Sequence, residues 1–172
     1  MRAFWEQGYD RTTVAQLTQR MGIAAPSLYA AFGDKRALFE EAAVRYGARL
    51  DEQLSRDLGA PTARQAIAAV LHTAAAAFTA ADTPPGCLVM GEPLLAARRA
   101  VTREAVAARL SRAVIAGELT DQDEADELGA YLDTVLAGME ARARDGATRD
   151  TLERATRRAL RAWDHTDPDN LS

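Results

Sequence analysis

Side chains able to do covalent or metal chemistry are few in this sequence and far apart. The 172 residues include one cysteine, Cys87, and two histidines, His72 and His165. A single thiol excludes an intrachain disulfide and a cysteine-based zinc cage. Neither histidine has further ligands at metal-binding spacing, so no metal site is expected. No Ser-His-Asp, Cys-His or Glu-x-x-His grouping and no glycine-rich phosphate loop occurs. The chain therefore reads as neither an enzyme nor a cofactor carrier. The chemistry left is hydrogen bonding and point charge. Near the amino end it falls on Thr12, Thr13, Ser27, Tyr29 and Lys35, the last being the only lysine.

Helices must position these groups. Hydrophobic residues make up 48% of the chain and charged residues 27%, which is globular rather than disordered composition. Alanine, leucine, arginine and glutamate are abundant, all good helix formers, and no stretch alternates apolar and polar residues as a half-buried strand would. The expected class is all-α. A net charge of −4 means that any nucleic-acid contact comes from a local patch. No stretch is apolar for long enough to span a membrane, and charge follows Met1 at once, unlike a secretory signal. A cytoplasmic protein with no membrane partner is expected.

Glycine and proline punctuate the chain. Residues 1–7 read as the tail of a helix that normally starts earlier, stopped by Gly8. Thr13 with Gln16 has the capping-box spacing for a helix over 14–21. Gly22 permits a tight turn through Ile23 and Ala24, and a second short helix is expected over 25–32, with Pro26 harmless in its first turn. Asp34 caps a long helix over 35–58. Further helices are expected over 62–81, over 87–98 with Pro93 interrupting, and over 101–116, 121–145 and 148–163, before a tail that frays after Asp164.

The pair over 14–21 and 25–32 has the helix-turn-helix layout, with Leu17 and Leu28 as its hinge core. In such a pair the first helix crosses the DNA backbone, and the second enters the major groove with its leading side chains toward base edges. Residues 1–47 hold six basic and five acidic residues, the remainder fifteen and twenty. A slightly basic head on an acidic body fits a DNA-facing head.

Phe4-Trp5-Glu6-Gln7-Gly8-Tyr9, Thr12-Thr13-Val14, Leu17, Met21-Gly22-Ile23 and the run from Pro26 through Lys35 to Leu38-Phe39 resemble the N-terminal domain of TetR-family transcriptional regulators. The Leu-Tyr-x-x-Phe-x-x-Lys-x-x-Leu order from Leu28 to Leu38 is its most specific element, and the likeness spans about a quarter of the chain. The resemblance implies that the Tyr29 hydroxyl meets a phosphate. It implies that Lys35 binds phosphate through its charge at a helix start. Such contacts position the head without reading sequence. It also implies that Thr12 and Thr13 face the DNA backbone and that Ala25, Pro26, Ser27, Ala30 and Ala31 face the groove. Those side chains can touch thymine methyls or, for Ser27, offer one hydrogen bond. Two features depart from the family pattern. Ala24 stands where Ser or Thr commonly caps the recognition helix, a loss of roughly 0.5–2 kcal/mol. No Arg, Asn or Gln stands on that helix's outer face, so specificity is expected to lean on apolar contacts, water and DNA shape.

The same resemblance implies a helical body that binds an effector and dimerises through its last two helices. The expected domains are a helix-turn-helix head over 1–47, with its first helix truncated, and an effector-binding and dimerisation body over 48–172. Leu128, Tyr131, Leu132, Val135, Leu136 and Met139 on one helix, and Leu152, Ala155, Ala159 and Leu160 on the next, are the expected dimer face. A homodimer would reach half-sites about 34–36 Å apart on double-stranded palindromic operator DNA. Alanine-rich helices leave room for an unidentified small-molecule effector, with His72, Phe78, Met90 and Leu94 as expected lining and Cys87 near the mouth. The expected function is a homodimeric repressor released from its operator by that effector. The alternative is a ligand-binding helical protein whose truncated head no longer binds DNA.

Overall fold

The computed structural model describes residues 1–163. The described elements are α1 (Arg2–Gln7), α2 (Val14–Met21), α3 (Ala25–Phe32), α4 (Lys35–Leu58), α5 (Ala63–Phe78), α6 (Leu88–Gly91), a 3-10 turn (Pro93–Leu95), α7 (Ala96–Ile115), α8 (Gln122–Arg144) and α9 (Arg149–Trp163). No strand occurs among the described residues. His165 and the tail after Asp164 lie outside them.

Side-chain caps account for most of the starts. Thr13 and Gln16 form a reciprocal capping box on α2, and Thr62 and Gln65 form another on α5. The Asp34 and Asp121 carboxylates accept from the Ala37 and Glu124 amides at the starts of α4 and α8. Between α2 and α3, Gly22 adopts φ 66° and ψ 30°, a left-handed conformation that costs glycine nothing.

The middle of the chain departs from the expected pattern. α5 stops at Phe78, where the returning loop's Gly86 amide donates to the Phe78 carbonyl at 2.9 Å. The helix expected over 87–98 shrinks to the single turn α6 and the 3-10 turn. Pro93 is the reason: the residue before a proline is pushed out of the helical region, and Glu92 is extended at φ −106° and ψ 114°. α7 then begins at Ala96 rather than near Val101.

Two apolar clusters form. The head cluster contains Phe4, Trp5, Leu17, Leu28, Leu38, Phe39 and, from the body, Leu88 of α6. Its aromatics meet edge-on, Phe4 on Phe39 at 5.2 Å and Trp5 on Tyr46 at 5.1 Å between ring centres. The body cluster centres on α5, whose Ala63, Ala66, Ile67, Leu71 and Ala75 are fully covered by the surrounding helices.

A division near residue 47 falls in the middle of α4, which runs unbroken from Lys35 to Leu58. Tyr46 and Leu95 pack against both clusters, so head and body share a seam. Gly47 is buried on that seam, where an added Cβ would lie 2.9 Å from Arg98 Nε. Its carbonyl accepts from Arg98 Nη2 at 3.1 Å, which pins α7 to α4.

Candidate nucleic-acid interface and ligand cleft

α3 is held by one face and bare on the other. Leu28 is 0% exposed and Leu17 4%, which closes the hinge between α2 and α3. Outward stand Pro26, Ser27, Tyr29, Ala30 and Ala31, with Ala25 half-buried. Tyr29 is 49% exposed, so it is not the core tyrosine that its apolar neighbours alone would suggest. Ala24 provides no side-chain cap, and the Ser27 and Leu28 amides fold back onto its carbonyl.

Two of the phosphate assignments change. Thr12 is fully buried, and its hydroxyl donates to the Gly8 carbonyl at 2.7 Å and the Ala3 carbonyl at 3.3 Å. Its hydroxyl ties α1 to the following loop and is engaged inside the head. Thr13 is exposed at the start of α2, with its hydroxyl accepting from the Gln16 amide. The Lys35 ammonium donates to the carbonyls of Tyr9 and Thr12, both at 3.0 Å, and sits 4.0 Å above the Tyr9 ring. An ammonium has three N–H donors. Lys35 therefore staples the Tyr9–Thr12 loop, with two of its three N–H donors on these carbonyls. The other cations of residues 1–47 are paired too: Arg2 and Arg20 with Glu6, Arg11 with the Gln7 carbonyl, Arg36 with Glu40 and Arg45 with Glu41.

Sequence reading missed a residue that joins head to body. Glu92 is 5% exposed, and its Oε2 accepts from the Tyr9 amide at 2.8 Å, across 83 positions of chain. Its Oε1 accepts from the Leu94 amide at 3.2 Å, which caps the 3-10 turn. The legible signal was a carboxylate directly before a proline, a natural capping position. Its distant partner had no signal.

α6 is gripped from every side. Arg99 of α7 donates from Nη1 to the Val89 carbonyl at 2.9 Å and the Glu92 carbonyl at 2.8 Å. On α8, Glu140 accepts from the Cys87 amide at 3.3 Å, and its ion-pair partner Arg144 donates to the Cys87 carbonyl at 3.3 Å. On α4, the Tyr46 hydroxyl lies 3.4 Å from Cys87 Sγ. Burial, and then the neighbouring thiol, push the Tyr46 phenol far above its ordinary pKa.

Beside α6 opens a cleft of about 140 Å³ among α4, α5, α7 and α8. Phe78, Met90, Cys87, Leu54 and Leu136 supply apolar wall, and Asp57, Arg99 and Asp133 supply charge. Phe78 and Met90 line this cleft. His72 does not: it is exposed on α5, with Nδ1 2.6 Å from Glu153 Oε2. Leu94 also lies elsewhere, 43% exposed on the 3-10 turn, because Pro93 breaks the helix that would have carried it inward.

The residues expected at the dimer face are placed mostly inside the protomer. Leu128, Leu132, Met139, Leu152, Ala159 and Leu160 are buried in this protomer's own core, while Val135 and Leu136 are half-buried against it. Of the named set only Tyr131 and Ala155 are exposed. The apolar periodicity marks the faces that meet α5 and α7. The outward face of α8 is smaller and flatter: Ala130, Tyr131, Thr134, Ala137, Gly138 and Ala141 are all exposed.

Known proteins share this arrangement. Residues 1–42 match the profile of bacterial regulatory proteins of the tetR family. Likeness continues through the body. The HTH-type transcriptional repressor Rv1474c of Mycobacterium tuberculosis is 31% identical, over 92% of this chain and 89% of that protein. The chain belongs to the TetR family of transcriptional regulators. Among other relatives of this TetR-family chain, the HTH-type transcriptional repressor ComR of Escherichia coli is 28% identical, over 95% of this chain and 84% of that protein. A cysteine variant of the TetR-family regulator CifR, solved with 26-base-pair double-strand operator DNA, superposes with a TM-score of 0.87. It is 36% identical and covers 94% of this chain and 91% of its own.

Proposed function

We propose that this chain is a cytoplasmic, homodimeric transcriptional repressor that binds palindromic operator DNA and is released by a small-molecule effector in the cleft beside α6. The observation that carries the reading is the helix pair α2–α3: α3 is anchored by Leu28 and presents an exposed face with Tyr29, Thr13 and the spare donor of Lys35 around it. Tyr29, Thr13 and Lys35 would hold phosphates, and Ala25, Pro26, Ser27, Ala30 and Ala31 would face the groove. Among the described residues, no helix is long and apolar enough to cross a membrane.

The dimer would form through the outward face of α8 around Tyr131, together with Ala155 of α9. Two heads on a two-fold axis can then meet successive major grooves. The enclosed part of the cleft suits a small group of the effector. An apolar cavity of about 150 Å³ accommodates benzene, so at about 140 Å³ the cleft accepts a group of comparable bulk without opening. A ligand seated there touches Met90 and Arg99. Arg99 holds α6, and Glu92 next to α6 holds the head at Tyr9. A ligand that fits the cleft better when α6 has shifted lowers operator affinity by that difference.

Binding to an inverted-repeat duplex taken from upstream of the protein's own reading frame tests the proposal. Affinity should fall steeply as salt rises, because each neutralised phosphate releases condensed counterions. A chain that stays monomeric in sedimentation, or ignores inverted repeats at low ionic strength, contradicts it and favours a ligand-binding protein with a silent head.

A further inference from the structure

We propose, building on the DNA-binding reading above, that α3 reads its operator through thymine methyl groups rather than through hydrogen bonds to purines. α3 has no Arg, Lys, Asn, Gln, Asp or Glu. Its outward side chains are Pro26, Ser27, Tyr29, Ala30 and Ala31, with Ala25 half-exposed beside them. Guanine and adenine are discriminated in the major groove by groups that contact two edge atoms at once, as Arg does on O6 and N7 and Asn or Gln on N6 and N7. None of these side chains carries two hydrogen-bonding atoms. Ser27 has one hydroxyl, which donates or accepts equally well and so distinguishes bases weakly. The mark that methyl and pyrrolidine surfaces can distinguish is the C5 methyl of thymine.

Geometry agrees. Alanine reaches no further than its Cβ, so contact with a base edge requires the α3 backbone to sit close to the groove floor. Nothing long on the outer face except Tyr29 prevents that approach. The opposite face keeps α3 from rolling to offer other groups: Leu28 is 0% exposed, and the left-handed Gly22 turn sets the angle to α2. The eight residues of α3 extend about 12 Å, which is roughly four base pairs at about 3.4 Å each. Methyl-sensitive positions should therefore fall within one run of about four base pairs in each half-site.

The test perturbs the DNA and leaves the protein untouched. A duplex is selected from a random pool by the full chain at low ionic strength. Each thymine is then replaced by deoxyuridine, which removes only the methyl, and each purine by its 7-deaza analogue, which removes only N7. Deoxyuridine should weaken binding about four-fold at one or more thymines within the central run of each half-site, the factor corresponding to about 0.8 kcal/mol for a buried methyl-sized group. Within that run the 7-deaza replacements should change affinity less than about two-fold. Indifference to every deoxyuridine overturns the inference, as does a ten-fold loss at a 7-deazapurine within the run of about four base pairs that α3 spans. A pool that yields no retained duplex defeats the DNA-binding reading itself, a different result from a bound duplex whose methyls are irrelevant.

Discussion

Glu92 offers a direct measure of how firmly the head is seated on the body. Its carboxylate is 5% exposed and accepts two backbone N–H groups, from Tyr9 in the head at 2.8 Å and from Leu94 in the 3-10 turn at 3.2 Å. A hydrogen bond to a charged group contributes about 1.5–3 kcal/mol. Glu92→Ala removes both acceptors, and partial relaxation and water entry reduce the combined cost to about 2–4 kcal/mol. Glu92→Gln keeps one oxygen and turns an NH₂ toward the other donor, so about 1–2 kcal/mol is expected. Urea denaturation measures the total. Hydrogen exchange at the Tyr9 amide isolates the head–body term: losing about 1.5–3 kcal/mol locally speeds exchange about 10- to 150-fold. Amides of the α5 core should accelerate only as far as the urea measurement requires. With the contact gone, operator affinity should fall and the effector's influence on it should shrink. Unchanged Tyr9 protection in Glu92→Ala, or a uniform acceleration across head and body alike, would refute the reasoning.

Other outcomes follow from the same geometry. Tyr29→Phe should weaken binding to every duplex by a similar factor without altering the urea midpoint, because the side chain is half-exposed; sequence-dependent effects would move Tyr29 from phosphate to base contact. Lys35→Ala should both weaken DNA binding and lower stability, since it unties the Tyr9 and Thr12 carbonyls; lost affinity at unchanged stability would show that the staple is unimportant. Tyr131→Glu should turn dimer into monomer in sedimentation while leaving helical content intact, because that position lies outside the protomer core; a persistent dimer places the interface elsewhere. Stability should also drop above about pH 10. The folded pKa of Tyr46 is raised, so the unfolded chain gives up this proton first, and stability falls with a limiting slope of about 1.4 kcal/mol per pH unit. Tyr46→Phe should remove that component, and identical profiles for the two proteins would deny it.

Local signals determined much of this protein in the sequence itself. Thr13 with Gln16, Gly22, Asp34 and Gly33 bound α2, α3 and the start of α4, because capping and left-handed turns depend on residues within four positions of each other. The all-α class and the helix-turn-helix head were legible for the same reason. Tertiary structure decided what depends on partners remote in the chain. Apolar periodicity showed that α8 and α9 bury a face, but only packing against α5 and α7 showed that Leu128, Leu132 and Leu152 turn inward, leaving Tyr131 and small residues outside. Thr12 looked like a phosphate ligand until α1 closed over it, and His72 looked like a pocket residue until Glu153 stood beside it. Glu92 reaches Tyr9 across 83 positions, a contact that exists only because α6 lies against the head. Periodicity tells how much of a helix is covered, whereas the identity of the covering surface is set by how all the helices share one limited interior.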